Sequence, residues 1–352
     1  MSTDYRTELA DLRTSKAELA RLWAQNLEGC DDALVRRKLA HGYLDNPAGE
    51  GVAVLLRAAA LAIGAQGLHE RRFHLGAATL RGACMADFVV DAAHRSLGPA
   101  LMLMKRATGQ AGQGFDLIYG LPNPKAAAVC ARAGLIRVGQ MQRYVKLLRT
   151  RERLVARLPS AAAGAVSVLA DGLLTLADRR RRGGLARRWA CAELAWCEPG
   201  SAAFVDAAWA RRSVELLLSE RSAQMLAWRF DEGRQGGWRL CGFTDAAGEP
   251  AGWSVWRHNG RDAEVGDFFV SEPARDAAPA FAEFSALMRQ QGCAGISMEL
   301  LAPPAVEAAL LAAGMSRRDD AMPVFARVAP EGDFRLPALD RWYLTRFDND
   351  SD

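Results

Sequence analysis

The chain lacks the residue spacings that mark several common kinds of site. Its seven cysteines (Cys30, Cys84, Cys130, Cys191, Cys197, Cys241 and Cys293) are scattered, and no two form Cys-x-x-Cys. That argues against a zinc ribbon or a disulfide framework and reads as reduced thiols. The five histidines, His41, His69, His74, His94 and His258, never fall four apart, so the sequence offers no helical metal-binding pair and no metal is expected. The opening Met-Ser-Thr-Asp-Tyr-Arg-Thr-Glu has no secretory leader pattern, and a cytoplasmic protein is expected. Net charge is also small. With 45 Lys and Arg against 41 Asp and Glu the formal charge is +4, which is too weak to argue for nucleic acid. It suits a phosphorylated ligand or an acidic carrier protein. The longest small-apolar stretch, Pro159 to Ala177, is interrupted by Asp171 and does not read as a membrane span.

What is present is enough for two domains. Of 352 residues, 50% are hydrophobic and 24% charged, so each half can bury a core. Hydrophobic periodicity predicts one helix over residues 3–28, with Leu9, Leu12, Leu19, Leu22 and Trp23 on one stripe, and a second from Asp32 to Tyr43. Four strands follow: Val52 to Leu56, Ala58 to Gly64, Arg72 to Leu80 and Gly82 to Val90. Then come a helix from Gly98 to Ala107, a strand from Phe115 to Leu121, a helix from Lys125 to Ala133 and a strand from Met141 to Leu148. Residues 149–190 read as an Arg-rich helical linker. The arginines at 149, 151 and 153 precede the apolar stretch, and those at 179–182, 187 and 188 follow it. Two readings stand: a helix packed between domains with solvated arginines, or one lying on an anionic membrane surface. In the second half, Ser213 to Leu218 and Ala223 to Phe230 read as helices, and 237–270 as a meander of three strands. A helix, strand, helix and strand then run to Val328. The acidic tail after Pro330 reads as frayed or loosely docked. The expected domains are thus 1–148 and 191–330, with the linker at 149–190 and the tail at 331–352.

The stretch from Asp87 to Gly134 is the most informative. Asp87-Phe88-Val89-Val90 is strand, Arg95-Ser96-Leu97-Gly98-Pro99-Ala100 is a turn entering a helix, and Pro122-Asn123 and Ala133-Gly134 bracket a second helix. A glycine turn at a helix N-terminus leaves backbone N–H groups free for an anion, naturally a diphosphate. A shift of 180 residues repeats the pattern without a gap. Asp87 falls on Asp267, Phe88 on Phe268, Val90 on Val270 and Arg95 on Arg275. Pro99 falls on Pro279, Leu121 on Leu301, Pro124 on Pro304, and Ala133-Gly134 on Ala313-Gly314. The second copy has lost Gly98 to Ala278 and Asn123 to Pro303, and has gained Asp276 in the turn. It reads as the degenerate member of the pair.

These residues resemble the GNAT superfamily of acyl-CoA N-acyltransferases. Arg95-x-x-Gly98-x-Ala100 after a strand is similar to the family's Gln/Arg-x-x-Gly-x-Gly/Ala motif. Asn123, Ala126 and Gly134 stand at the offsets of its later Asn motif, where Cys130 replaces the family's tyrosine. The match covers about residues 43–148, with a weaker copy at 226–328. The tandem layout also resembles the Fem-type aminoacyl transferases.

The resemblance implies an α/β (α+β) protein of two GNAT-like domains, each a mixed, mostly antiparallel sheet flanked by helices. It implies that acetyl-CoA or another acyl-CoA is the co-substrate. Val89, Val90, Arg95, Ser96, Leu97, Gly98, Ala100 and Asn123 would hold it, with strand amides stabilising the oxyanion. The acceptor is expected to be an amine, on a small molecule or a polymer, bound between the halves. Asp87 reads either as a carboxylate facing the acceptor or as an interior Asp. Tyr119 reads as a proton donor or a core tyrosine, and Cys130 as the acid replacing the family tyrosine or a small buried hydrophobe. His94 can touch phosphate or remain a loop residue. Alternatives remain a donor carried by acyl carrier protein or aminoacyl-tRNA, docked on the 179–188 arginine cluster, and a non-catalytic acyl-CoA-binding protein. The same cluster could contact a membrane.

Overall fold

The computed structural model describes residues 4–155, 159–184, 189–196, 198–230, 236–332 and 334–350. Cys197, Arg187 and Arg188 lie outside the described residues. The first unit opens with strand β1 (Tyr5–Ala10) and helices α1 (Lys16–Asn26) and α2 (Asp32–Lys38), the latter running into a π-helical turn at Leu39–Leu44. The single helix expected over 3–28 is therefore corrected. Tyr5–Ala10 pairs antiparallel with the edge of the next strand, Tyr5 opposite Ala58 and Ala10 opposite Ala53, because that edge would otherwise expose unpaired backbone groups. Strands β2 (Val52–Ala58), β3 (Leu61–Leu75) and β4 (Ala78–Val90) form the meander. They are followed by α3 (Leu97–Thr108), β5 (Leu117–Gly120), α4 (Pro124–Arg132) and β6 (Ile136–Leu147).

Helices α5 (Arg151–Val155) and α6 (Ser160–Gly184) connect to the second unit: β7 (Ala190–Leu194), α7 (Pro199–Ala210), β8 (Leu218–Ser219), α8 (Ala223–Phe230), β9 (Arg239–Thr244), β10 (Pro250–Asn259), β11 (Asp262–Val270), α9 (Pro273–Gln290), β12 (Gly295–Leu301), α10 (Pro304–Ala312) and β13 (Ser316–Val328). The helix expected at Ser213 to Leu218 is absent. Leu218–Ser219 form β8, a two-residue strand on β3. The repeat is visible in the backbone: α4 and α10 each run nine residues at the same offset. Each is followed by a glycine in the left-handed region, Gly134 at φ 92° and Gly314 at φ 96°, a conformation that ends a helix most easily when no Cβ is present.

The two units share one sheet of order β1-β2-β3-β4-β5-β13-β6-β12-β11-β10-β9-β7. Each unit gives its last strand to the other. β13 pairs with β5 (Val328 opposite Leu117), β6 pairs with β12 (Leu147 opposite Gly295), and β6 and β13 pair with each other. The last strand of the 1–148 segment thus lies beside β12 of the second unit. The tail after Pro330, expected to be loose, is instead built into the core. Trp342, Tyr343, Leu344 and Phe347 are fully buried, and β14 (Leu344–Thr345) pairs with Leu300 and Leu301 of β12. Four bulky apolar side chains in so short a segment outweigh its acidic end.

Candidate functional site

In the first unit β4 and β5 pair in parallel only from Gly82 to Cys84, opposite Leu117 to Tyr119. Beyond that they diverge. β5 ends at Gly120, while β4 continues to Val90 through a bulge where its register on β3 shifts between Ala65 and Gly67. A bulge turns a strand and re-aims its side chains. The divergence leaves a cleft of about 570 Å³ walled by β4, α2 and α4, with the middle of β13 and the C-terminal tail on its far side.

Asp87 sits at this bulge with φ 53°, in the left-handed region that non-glycine residues rarely adopt. Three side chains hold it. Lys38 Nζ donates to Oδ1 at 2.9 Å, the Tyr43 hydroxyl donates to Oδ2 at 2.8 Å, and His69 Nε2 lies 3.6 Å from Oδ2. Burial would raise the carboxyl, but the His69 and Lys38 interactions prevail and hold it well below the usual carboxylate range. Tyr43 in turn lies flat on Trp23, ring centres 5.4 Å apart, and leaves no room for a side chain at residue 67. A Cβ there would meet the Tyr43 hydroxyl at 1.8 Å, which requires Gly67. Asp87 therefore lines the cleft as an ionised, fully engaged group.

Two other polar groups on the wall are less committed. The Gln66 amide donates through Nε2 to the carbonyls of Gly67 (2.9 Å) and Ala86 (2.7 Å). That fixes its orientation and leaves Oε1 buried without a partner. Asp350, from the tail, lines the cleft with no cation at ion-pair distance among the described residues. Burial and then the charge of Asp87 raise its pKa. Nothing in sequence pattern connects Asp350, Lys38, His69 or Gln66 to Asp87. Tyr43 is the one of these partners whose place before the first strands of the meander could be read as a cleft wall.

The anion turn lies at the end of β4. Val89 and Val90 finish the strand, with Val89 packing toward α1 and α2 and Val90 toward α3. Ser96 occupies the N-cap of α3 without a side-chain capping bond, and Pro99 has no N–H. The amides of Leu97 and Gly98 are thus the helix's exposed first-turn donors. A Cβ on Gly98 would meet nothing within 4 Å, so the glycine answers to no internal packing demand. Ala100 is half-buried in the same turn. Arg95 braces the loop: Nε donates to the Val90 carbonyl at 2.8 Å and Nη2 to Asn26 Oδ1 at 2.9 Å. Asn26 also donates to Asp91, which ties α1 to the loop. His94 is engaged by the Tyr5 hydroxyl at 3.0 Å. Asn123 caps α4, its Oδ1 accepting from the amides of Lys125 and Ala126, and its side chain reaches the cleft mouth.

Cys130 lies on the cleft wall, where burial pushes its thiol up to about 11. Tyr119 is elsewhere. It is fully buried against Phe73, and its hydroxyl donates to the Asp348 carbonyl at 2.7 Å, fastening the tail rather than facing the cleft.

The second unit has the same splayed strands, and there the tail packs into the splay. β14 occupies the edge of β12, and the Tyr343 hydroxyl donates to the carbonyl of Phe268. Asp267, the counterpart of Asp87, is fully buried among Arg221 (3.2 Å), Trp253 Nε1 (2.9 Å) and Thr345 Oγ1 (2.6 Å). The anion turn is gone too. β11 ends at Val270 and α9 begins at Pro273, so helix replaces the loop, and Asp276 is paired there with Arg275 at 2.6 Å.

No His, Cys, Asp and Glu cluster among the described residues could hold a metal, and no helix among them is long and apolar enough to cross a membrane. Neither a protein-family model nor a curated protein matches the sequence. Solved structures do match. A conserved protein of Enterococcus faecalis V583, described as a probable N-acyltransferase, aligns at TM-score 0.61 and 10% identity over 93% of this chain and 73% of its own. GCN5-related N-acetyltransferases of Kribbella flavida (TM-score 0.57, 14% identity, 92% and 71%) and Anabaena variabilis (TM-score 0.58, 10% identity, 92% and 73%) align similarly. Together with the repeat in its own backbone, these likenesses show that the chain has the fold of the GCN5-related N-acetyltransferases, in two tandem units that share one sheet.

Proposed function

We propose that the protein is an N-acyltransferase that moves an acyl group, acetyl in the simplest case, from acyl-CoA to an amine in the first cleft. One observation carries this reading. Of two copies of the same fold, one keeps both a cleft at the splayed strands and a helix-start turn with exposed amides, and the other has both filled by its own chain. The diphosphate of CoA suits the Leu97 and Gly98 amides, and its thioester would lie along the edge of β4. There the backbone N–H of Val90, which the strand register turns away from β3, can stabilise the tetrahedral oxyanion.

The amine nitrogen attacks the thioester carbon, the C–S bond breaks, and CoA leaves as thiolate. The proton from the nitrogen passes to the Asp350 carboxylate, whose raised pKa brings it closer to neutral pH than an ordinary carboxylate. The unpartnered Gln66 Oε1 accepts from the amine and orients it. Asp87 is a positioning residue that holds Lys38, Tyr43 and His69 in place. Calorimetry with CoA and acetyl-CoA, followed by an amine panel, tests the reading. Saturable binding near one molecule per chain is expected, and absence of binding to the intact protein would overturn it.

A further inference from the structure

Helix α6 carries a feature that the cleft does not use. Val166, Leu169, Leu173 and Leu176 recur at helical spacing on one face, and all are exposed, Leu169 by 74% and Leu173 by 69%; Val168 beside them is 73% exposed. The stripe is about 15 Å long at the rise of an α-helix. Its charges are sorted. Both acids of the helix turn inward: Asp171 accepts from the amide and hydroxyl of Thr150 (2.7 and 2.8 Å), and Asp178 pairs with Lys146 (3.1 Å) and Arg289 (2.6 Å). Of the arginines, Arg181 pairs with Asp178 at 3.3 Å and Arg182 with Glu283, while Arg179 and Arg180 are exposed. Arg180 continues the apolar stripe four residues beyond Leu176. Arg179 stands beside it and, with Arg149 and Arg289, lines a recess of about 400 Å³ that Asp171, Gly172, Thr175 and Leu176 complete, Asp171 being held there by Thr150.

We infer that α6 docks on an anionic lipid surface, its leucine and valine stripe entering the acyl boundary and its arginines meeting lipid phosphates. An amphipathic helix with a basic rim binds such surfaces through buried apolar area together with roughly 1 kcal/mol per arginine near the headgroups. The observations favour this occupant over two others. A carrier protein that delivers an acyl group would dock beside the first cleft. α6 packs instead on α5 and α9, and neither helix contributes to that cleft. A twofold pair of chains joined α6 on α6 would set arginines against arginines, because the described acids of α6 are already engaged within the fold.

The test is co-sedimentation of the full-length protein with phosphatidylglycerol-containing vesicles and with pure phosphatidylcholine vesicles. The expected result is binding to the anionic vesicles only, weakened by salt. The double variant Leu169→Asp/Leu173→Asp should reduce binding at least about tenfold. Arg179→Ala/Arg180→Ala should reduce it about fivefold per arginine. CoA binding and the circular dichroism spectrum should stay unchanged in both, since these side chains are exposed and far from the cleft. No sedimentation of the wild type with anionic vesicles overturns the inference. So does light scattering that shows a dimer dissociated by the leucine variant while vesicle binding is unaffected, or selective loss of turnover with a carrier-bound donor.

Discussion

The hydroxyl of Tyr343 donates to the main-chain carbonyl of Phe268, at the strand end where the second unit's cleft would begin. The contact belongs to a buried group in which Asp348 receives Arg221 at 2.5 Å, both side chains being fully buried, while Thr345 meets Asp267. A ligand in the second unit would have to displace all of it. CoA should therefore bind one per chain by calorimetry. Tyr343→Phe should cost about 1 kcal/mol in denaturant unfolding, the scale of one buried hydrogen bond, and leave the stoichiometry at one. Two sites in either protein would refute this account of the tail.

Gly98 separates folding from binding. Its missing Cβ is demanded by no neighbour. Gly98→Ala should leave the melting temperature unchanged or raise stability by up to about 1 kcal/mol through helix propensity. Gly98→Trp should fold and fail to bind CoA. A tryptophan variant that binds as tightly as wild type would remove the turn from the site.

The carboxyl of Asp87 is depressed in the folded state, so its contribution to stability is present above the ordinary carboxylate pKa and is lost as pH falls below about 4. Asp87→Asn should cost about 3 kcal/mol near neutral pH, the low end for breaking a buried pair, and much less in acid. Urea unfolding at both pH values measures the difference, and an equal cost at each would show that the Lys38 contact contributes little.

How much of this was legible in the chain depends on the range of the interaction. The turn at Arg95 to Ala100, the cap at Asn123 and the repeated Gly134 and Gly314 are local, set by a few adjacent residues, and sequence spacing exposes them. The exchange of β6 and β13 joins residues far apart in the chain, such as Leu147 and Gly295, and periodicity assigns a strand without naming its neighbour. The tail was misjudged because its acids signal solvent, whereas Trp342, Tyr343, Leu344 and Phe347 decide where it lies. Asp350 was invisible for the same reason. Tyr119 reads as either a donor or a core tyrosine from its place on β5, because a strand presents alternate faces and only the fold reveals which one meets the cleft; it is the core one.

Asp350 titrates in the opposite sense to Asp87. Burial favours its protonated form, so as a general base it should give kcat/KM a rising limb with pH through a pKa above the ordinary carboxylate value. Asp350→Asn should remove that limb and slow turnover on the order of a hundredfold. Because the raised pKa makes the ionised form unfavourable in the fold, the same variant should be no less stable than wild type above that pKa. A pH profile that keeps its limb would assign the base elsewhere.

For Cys130 the thiol near 11 decides the expectation. Transfer of its proton to a departing thiolate of ordinary basicity, pKa about 8.5, is uphill by more than two units. Cys130→Ala should retain kcat within a few-fold while losing roughly 1 kcal/mol of packing. A hundredfold loss of kcat with KM unchanged would restore the thiol as the acid.

The traded strands β6 and β13 give the molecule the layout of a symmetric pair that has been joined end to end. In a pair of separate identical chains, any substitution falls on both partners at once, so a cleft closed in one is closed in the other. Joining the copies lifts that restriction. One binding place could be given over to anchoring the chain's end, and that end could then reach across to bring Asp350 to the place that was kept. The asymmetry between the units is what allows one half to serve as the fastening for the chemistry of the other.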